Sequence, residues 1–107
     1  MLVWPALADA ARGRDLYESR CIACHSIEAN RVGPMHRGVV GRKAGSVAGF
    51  AYSQAVHNSN VVWTRENLDR WLTNPQAVIA GQRMNFRVAN AQDRWDIIDF
   101  LSEQSAR

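Results

Sequence analysis

The stretch Cys21-Ile22-Ala23-Cys24-His25 decides how the rest of the chain is interpreted. Two thiols three positions apart at the end of a helix can reach two vinyl groups on one edge of a haem and form thioethers with them. The imidazole of the next residue then lies over the iron, where it can serve as an axial ligand. The pentapeptide therefore predicts covalent attachment of one haem c through Cys21 and Cys24, with His25 on the iron.

Three other uses of two cysteines compete with this interpretation. A thioredoxin-like dithiol requires a preceding strand in a βαβ setting, and a structural zinc ion requires two further ligands at metal spacing. The chain has only two cysteines and three histidines, so His36 and His57 would have to complete a zinc site. A plain disulfide would leave His25 without a role. Haem attachment is favoured because a partner for His25 follows further along the chain.

That partner is Met84. It lies 59 positions after His25, which is far enough for the chain to return to the opposite face of a haem. A thioether is a soft, neutral ligand that favours ferrous iron, so a His/Met pair raises the reduction potential. Three further residues are candidates for the same position: Met35, His36 and His57. The first two follow His25 by only ten and eleven residues, too few to wrap around the haem edge, whereas spacing alone leaves His57 open.

The region around the motif predicts a helix followed by a long loop. The helix runs from near Ala11 to about Arg20 and ends at the motif. Between Ser26 and Ser53, five glycines fall within 17 positions and defeat both the helix and the strand period. A loop of that length in a compact domain needs an internal scaffold or a ligand to wrap.

The second half of the chain predicts two more helices. Thr64 is a favourable N-cap for a helix that ends at Asn74-Pro75, where a short helical turn can continue to Val78. Asn90 resembles the cap of a last amphipathic helix that runs to about Gln104. Since no stretch alternates as a strand, the predicted fold class is all-α, with three main helices, short helical turns and long loops.

Composition narrows the function classes. With 107 residues, 47% of them hydrophobic and 21% charged, the chain is expected to form one ordered domain. No uncharged apolar run approaches the ~18–20 residues needed to span a bilayer. Thirteen basic and ten acidic residues give a net charge of +3, and no run of five Lys or Arg occurs. This mild, scattered excess argues against a nucleic-acid partner.

The first ten residues differ from the rest of the sequence. Residues 1–7 are apolar, and Ala8-Asp9-Ala10 has the small-x-small form of a signal-peptidase site. We interpret residues 1–10 as the remnant of an export signal, with a disordered tail as the alternative, and residues 11–107 as the haem domain. Bacterial haem attachment to cysteines requires export machinery, so a periplasmic location is predicted.

Several further stretches match one known family in order. They are Val32-Gly33-Pro34, Gly41-Arg42-Lys43-Ala44-Gly45, Gly49-Phe50-Ala51-Tyr52-Ser53, Trp63, Asn74-Pro75, Gly81 and Met84-Asn85-Phe86. With these residues the chain resembles the small soluble class I c-type cytochromes, closest to the mitochondrial type and its bacterial relatives. The resemblance covers roughly residues 12–104 and implies the cytochrome c fold around a covalently bound haem.

The resemblance implies ligands and supports for the haem. His25 is the proximal ligand, the carbonyl of Pro34 accepts its other ring N–H, and Met84 is the distal ligand. The residues that would hold the haem propionates are Arg42, Tyr52 and Trp63.

Other positions are implied to shape the surroundings of the haem. Phe86 would shield the exposed haem edge, and Gly13 and Phe100 would form the crossing of the first and last helices. Trp71 stands where the family usually has a tyrosine near the distal sulfur, and it can donate only through its indole N–H. Val56 stands where the mitochondrial branch commonly has asparagine, which favours a drier pocket.

The function implied by the resemblance is electron transfer, with no enzymatic activity. One electron would be carried on a His/Met-ligated haem between redox proteins such as a cytochrome reductase, an oxidase or a dehydrogenase. These partners would dock at the exposed haem edge, and the protein is expected to be a monomer. The residues expected to steer an acidic partner are Arg20, Arg31, Arg83 and Arg87. The alternatives are a dedicated cytochrome subunit of a dehydrogenase, and a haem ligand sensor or peroxidase with a labile Met84.

Overall fold

Five helices occur in residues 8–105, the part of the chain that the computed structural model describes. In chain order they are α1 (Ala10–Arg20), α2 (Gln54–His57), α3 (Arg65–Thr73), α4 (Pro75–Val78) and α5 (Ala91–Ser105). No strand occurs in the same range, where one isolated antiparallel bridge joins Lys43 to Val62. The predicted all-α class, with three main helices and short helical turns, is confirmed. None of the described helices is long and apolar enough to cross a membrane.

Helix α1 begins one residue earlier than predicted. Ala10 is the first helical residue, and the Asp9 side chain caps the helix by accepting a hydrogen bond from the backbone N–H of Arg12 at 3.1 Å. The interpretation of residues 1–10 as an export remnant or a tail concerns mainly residues 1–7, which lie outside the described part of the chain. Within it, Asp9 and Ala10 belong to the structure of α1.

Side-chain caps set the starts of the later helices. Thr64 and Asn90 each accept a hydrogen bond from the backbone N–H three residues further on, at 3.1 and 2.9 Å, as the sequence predicted. Asn74 differs, because its side chain makes no capping hydrogen bond and α4 begins on the fixed φ of Pro75. Helix α2, capped by Ser53, was not predicted, since four residues are too few to show a period.

The first and last helices pack in close contact. A Cβ at Gly13 would lie 1.8 Å from the carbonyl oxygen of Asp96, so only glycine allows this approach. Further along α1, the ring of Tyr17 packs against Phe100, with the centroids 5.4 Å apart. The predicted crossing is therefore present in altered form: Gly13 packs against the α5 backbone, and the aromatic partner of Phe100 is Tyr17.

Acidic residues on α5 fasten the same two helices. Asp96 is 1% exposed and accepts hydrogen bonds from the Asp9 amide at 2.8 Å and from Arg12 at 2.7 Å. Asp93 pairs with Arg12 at 2.5 Å and with Arg20 at 3.1 Å. Because Asp9 and Arg20 lie at opposite ends of α1, these bonds tie both ends of that helix to a single turn of α5.

The apolar core lies where α3 and α5 meet the long loop. Its most buried large members are Val88, Ile97 and Ile98, none more than 1% exposed. Helix α3 contributes Leu68 and Leu72 to the same cluster. Trp71 and Met84 are partly buried and pack against this core.

The long loop between α1 and α2 contains no helix, as predicted, and pairs with the segment before α3. The N–H of Gly41 donates to the carbonyl of Trp63, and the N–H of Trp63 donates to the carbonyl of Arg42, both at 2.8 Å. At Gly45, φ is +77° and a Cβ would lie 2.9 Å from the carbonyl oxygen of Val56, so the turn requires glycine. The pairing brings Arg42 and Trp63 together.

Candidate functional site

The pentapeptide Cys21–His25 forms one further turn of backbone directly after α1. The N–H of Cys21 donates to the carbonyl of Tyr17, and the N–H of His25 donates to the carbonyl of Cys21, both at 2.9 Å. The two cysteines are free thiols, Cys21 partly buried and Cys24 exposed, so the disulfide alternative does not occur. Burial raises the pKa of the Cys21 thiol to about 11, which keeps it protonated at neutral pH.

His25 is held by the segment that follows it. Its Nδ1 lies 3.2 Å from the carbonyl oxygen of Pro34, which can only accept, so Nδ1 carries the proton. The hydrogen bond implied by the resemblance is therefore present, and the lone pair of Nε2 is left free to bind a metal. Burial lowers the pKa of His25, which favours the neutral form that binds metals. A Cβ at Gly33 would lie 2.0 Å from the ring, so that position must be glycine.

His36 lies against His25. The two rings stack with centroids 4.0 Å apart and an angle of 19° between their planes. The hydroxyl of Tyr17 lies 2.9 Å from Nδ1 of His36. Burial lowers the pKa of His36 well below its ordinary value, so this second imidazole is neutral as well. An imidazole stacked on the proximal ligand cannot reach the opposite face of a haem.

The other candidate ligands do not form a second site. His57 is exposed at the end of α2, and Met35 is partly buried, with its N–H donating to Asn30 at 2.9 Å. Between residues 8 and 105, no group of three or more His, Cys, Asp or Glu side chains could hold a metal ion. The zinc alternative therefore finds no ligand set in that range.

Met84 is fixed at its sulfur and at its backbone. The indole N–H of Trp71 donates to Sδ of Met84 at 3.2 Å, and the backbone N–H of Met84 donates to Oε1 of Gln82. Trp71 in turn packs edge-on against Trp63, with centroids 5.0 Å apart and an interplanar angle of 62°. Trp71 thus makes the hydrogen bond to the thioether that the sequence left uncertain.

The residues assigned to the propionates carry unused hydrogen-bonding groups. Nε of Arg42 is buried without a partner among the described residues, although Nη1 donates to the carbonyl of Arg37 at 3.3 Å. Burial lowers the pKa of Arg42, and the electrostatic interaction with Tyr52 offsets only part of that decrease. Tyr52 accepts a hydrogen bond from the N–H of Val47 at 3.0 Å, and Trp63 is 8% exposed.

These residues fit a haem. A neutral imidazole and a thioether are suitable axial ligands for haem iron, and two free thiols stand at the attachment spacing. Two buried nitrogens, Nε of Arg42 and Nε2 of Gln82, have no hydrogen-bond partner within residues 8–105. Unpaired buried donors of this kind suit the carboxylates of a cofactor.

The surface near the Met84 loop combines an apolar residue with arginines. Phe86 is 42% exposed, consistent with a place at the edge of the site. Arg83 and Arg87 of this loop are exposed, and Arg31 is exposed in the segment after His25. Arg20 is also exposed, but its guanidinium pairs with Asp93. Val56 is partly buried against the core and adds no polar side chain there.

Sequence reasoning missed Gln82 as a separate contributor. Its side chain is 5% exposed, and its Oε1 holds the backbone of Met84. The only signal was a polar residue between Gly81 and Met84, and that pattern does not reveal burial. The contact between Tyr17 and His36 was missed for a similar reason, because 19 residues separate them in the sequence.

Comparisons with known proteins agree with this geometry. The family model that matches is described as Cytochrome c and spans residues 10–105. Cytochrome c 2.1 of Caenorhabditis elegans is 40% identical over 102 residues, covering 92% of each chain. Cytochrome c2 of Rhodomicrobium vannielii is 43% identical over an alignment of 111 positions, covering 96% of this chain and 88% of the relative. The solved structure of cytochrome cH from Methylobacterium extorquens matches with a TM-score of 0.84 at 37% identity, covering 90% of this chain and 99% of that chain.

An all-α domain that carries two thiols, an imidazole and a thioether in this order along the chain has the features of a small haem protein of the electron-transfer class. The chain belongs to the cytochrome c family and has the cytochrome c fold. It is therefore an electron-transfer haem protein and not an enzyme, because the members of this family are electron carriers. Family membership also implies that its partners are redox proteins.

Proposed function

We propose that the chain carries one electron on a single haem c, attached through Cys21 and Cys24 and ligated by His25 and Met84. The observation that carries this proposal is the state of His25: its Nδ1 is committed to the Pro34 carbonyl, which leaves Nε2 as the metal-binding atom. When bound, the haem supplies an iron that exchanges one electron between its ferrous and ferric states.

Met84 and its neighbours set the electron affinity of the site. The thioether donates little charge, and the N–H of Trp71 withdraws electron density from the same sulfur. Both effects favour the ferrous state and raise the reduction potential. Gln82 fixes the backbone of Met84 from the other side. Because both the sulfur and the backbone are held, a labile Met84, as a sensor or peroxidase would need, is not favoured.

Arg42, Tyr52 and Trp63 are assigned to the propionate end of the haem. The unpartnered Nε of Arg42 supports this assignment, because a buried donor and a buried carboxylate satisfy each other. Gln82 offers a second buried donor, its Nε2. Trp63 packs against Trp71 and so connects this end to the Met84 side.

Docking of the redox partner is assigned to the surface around Phe86. Arg31, Arg83 and Arg87 are exposed and can attract an acidic partner over a long range. Arg20 contributes less than the sequence suggested, because its charge is paired with Asp93. We expect weak, fast and salt-sensitive association of a monomer with a reductase, an oxidase or a dehydrogenase. Co-purification with a large dehydrogenase would instead indicate a dedicated subunit.

A periplasmic location belongs to the same proposal. Attachment at Cys21 and Cys24 in a bacterium requires export machinery, and bacterial cytochromes c2 are among the relatives. Fractionation of the native host, with intact mass of the recovered protein, tests both points. Recovery in the periplasm with one haem added to the polypeptide mass supports the proposal. Recovery in the cytoplasm, or an unmodified mass, contradicts it.

Optical spectra of the oxidised and reduced protein test the ligand set. Thioether ligation gives a weak far-red band in the ferric state, and we expect Met84→Leu to abolish it. Met35→Leu is the matched control, since it removes the same thioether from a residue outside the site, and it should leave the band intact. A high-spin or bis-histidine spectrum of the unmodified protein would contradict His25/Met84 ligation.

A further inference from the structure

The proximal side of the site contains a second imidazole that electron transfer does not require. The ring of His36 stacks on that of His25 at 4.0 Å and 19°, and its Nδ1 is within hydrogen-bond distance of the Tyr17 hydroxyl, at 2.9 Å. A partly buried histidine loses part of the hydration of its polar ring, so its presence against a metal ligand needs a reason. An aliphatic residue would fill the same space without that loss.

The backbone holds His36 in this position. Its N–H donates to the carbonyl of Ser26 at 2.9 Å, and the N–H of Arg37 donates to the carbonyl of Ile27 at 3.0 Å. The chain immediately after His25 is therefore paired with the chain around His36. This pairing fixes the distance between the two imidazoles.

The ring of His36 is held as well as its backbone. The hydroxyl of Tyr17 bonds to Nδ1, while the phenol ring packs edge-on against the imidazole, with centroids 5.6 Å apart. Tyr17 is itself 3% exposed and packs on Phe100 of α5. The orientation of the second imidazole is therefore set by the contact between α1 and α5.

The imidazole of His25 is therefore constrained by more contacts than the hydrogen bond at Nδ1. The Pro34 carbonyl binds Nδ1, the backbone of Gly33 leaves no room for a Cβ beside the ring, and the face of His36 covers the imidazole. A single hydrogen bond at Nδ1 fixes one point but allows the ring to tilt and swing around it. A flat ring stacked at 4.0 Å restricts that movement.

We propose that Tyr17 and His36 form a positioning pair that fixes the plane of the His25 imidazole over the haem. The inference rests on the proposed function, because it assigns His25 as an iron ligand. The direction of the ligand plane sets how unpaired electron density is distributed over the haem in the ferric state. Tyr17 and His36 would thus act on a bound iron through His25, as positioning residues.

Proton NMR and EPR of the ferric protein test the pair. The order and spread of the four haem methyl resonances, together with the g values, report the plane of the axial imidazole. We expect Tyr17→Phe, which removes only the hydroxyl, to shift the methyl resonances, and His36→Leu to change their order. Leu68→Val is the packing control: it loosens the buried core at α3 without altering Tyr17, His36 or Phe100, and should leave both measurements unchanged.

A double-mutant cycle separates positioning from packing. If the hydroxyl acts through His36, Tyr17→Phe should cause no further shift in a His36→Phe background. Equal shifts in both backgrounds would overturn the pair, as would methyl resonances unchanged in both single variants. If His36→Leu does not fold, Tyr17→Phe and His36→Phe still decide the question. Absence of the far-red band in the unmodified protein would instead refute ligation by Met84. Failure of the positioning proposal can therefore be told apart from failure of the proposed function.

Discussion

Replacing Trp71 with phenylalanine removes one hydrogen bond to the distal ligand and keeps an aromatic ring at the same place. The bond that is lost joins the indole N–H to Sδ of Met84 at 3.2 Å. The ring contact with Trp63, at 5.0 Å between centroids, can be retained by phenylalanine. The perturbation is therefore almost confined to the electron density on the sulfur.

The expected change in reduction potential follows from the difference in free energy of that hydrogen bond between the two oxidation states. A hydrogen bond in a protein contributes about 0.5–1.5 kcal/mol net. The sulfur of the ferrous state is the better acceptor, so we assign about 0.5–1 kcal/mol to the difference between states. For one electron, 59 mV corresponds to about 1.4 kcal/mol. Trp71→Phe should therefore lower the reduction potential by about 20–40 mV.

A spectroelectrochemical titration measures this shift. Trp95→Phe makes the same truncation at a partly buried position on α5 and should leave the potential unchanged. The far-red band must persist in Trp71→Phe, since the ligand itself is still present. An unchanged or raised potential in a variant with an intact band would refute the role assigned to this hydrogen bond.

Three further predictions concern stability and docking. Gly13→Ala should destabilise the fold by about 1–3 kcal/mol or prevent it, because its Cβ meets the Asp96 carbonyl at 1.8 Å; urea unfolding measures this, with exposed Ala11→Ser as the control. Burial alone raises the pKa of Asp96, but hydrogen bonds from Arg12, the Asp9 amide and Gln92 outweigh it and hold that pKa below its ordinary value. Stability from this carboxylate is therefore present above the pKa of about 3.9 of an unfolded aspartate and is lost as the pH falls through the lower folded value. Asp96→Asn should reduce stability at neutral pH and flatten this acid dependence, and unchanged pH curves would contradict the assignment. Neutralising exposed Arg83 and Arg87 to glutamine should slow reaction with an acidic redox partner at low ionic strength, whereas the same change at Arg20 should have a smaller effect on that rate; equal rates at all salt concentrations would refute steering.

Local chemistry made much of the fold predictable. Thr64 and Asn90 cap their helices through bonds to residues three positions away, so the signal and the structure occupy the same short stretch. Helix α2 was missed because four residues carry no period. The role of Asp9 could not be read either, since its amide bonds to Asp96, 87 residues away.

The same distinction between local and long-range contacts applies to the site. The pentapeptide, Pro34 and Met84 were identified by spacing and resemblance, and their contacts agree with the roles implied for them. Sequence spacing excluded His36 as a distal ligand but could not place it on the face of His25. The burial of Gln82 was equally hidden, because it depends on how the Met84 loop folds back on the protein.

A potentiometric titration of the holoprotein, followed through its far-red band, tests the central claim most directly. We expect a single one-electron transition in which the band of the ferric state disappears in step with reduction, and Met84→Leu should lack the band at every potential. A protein that takes up one electron without ever showing the band, or that is high-spin when oxidised, would contradict an electron carrier ligated by His25 and Met84.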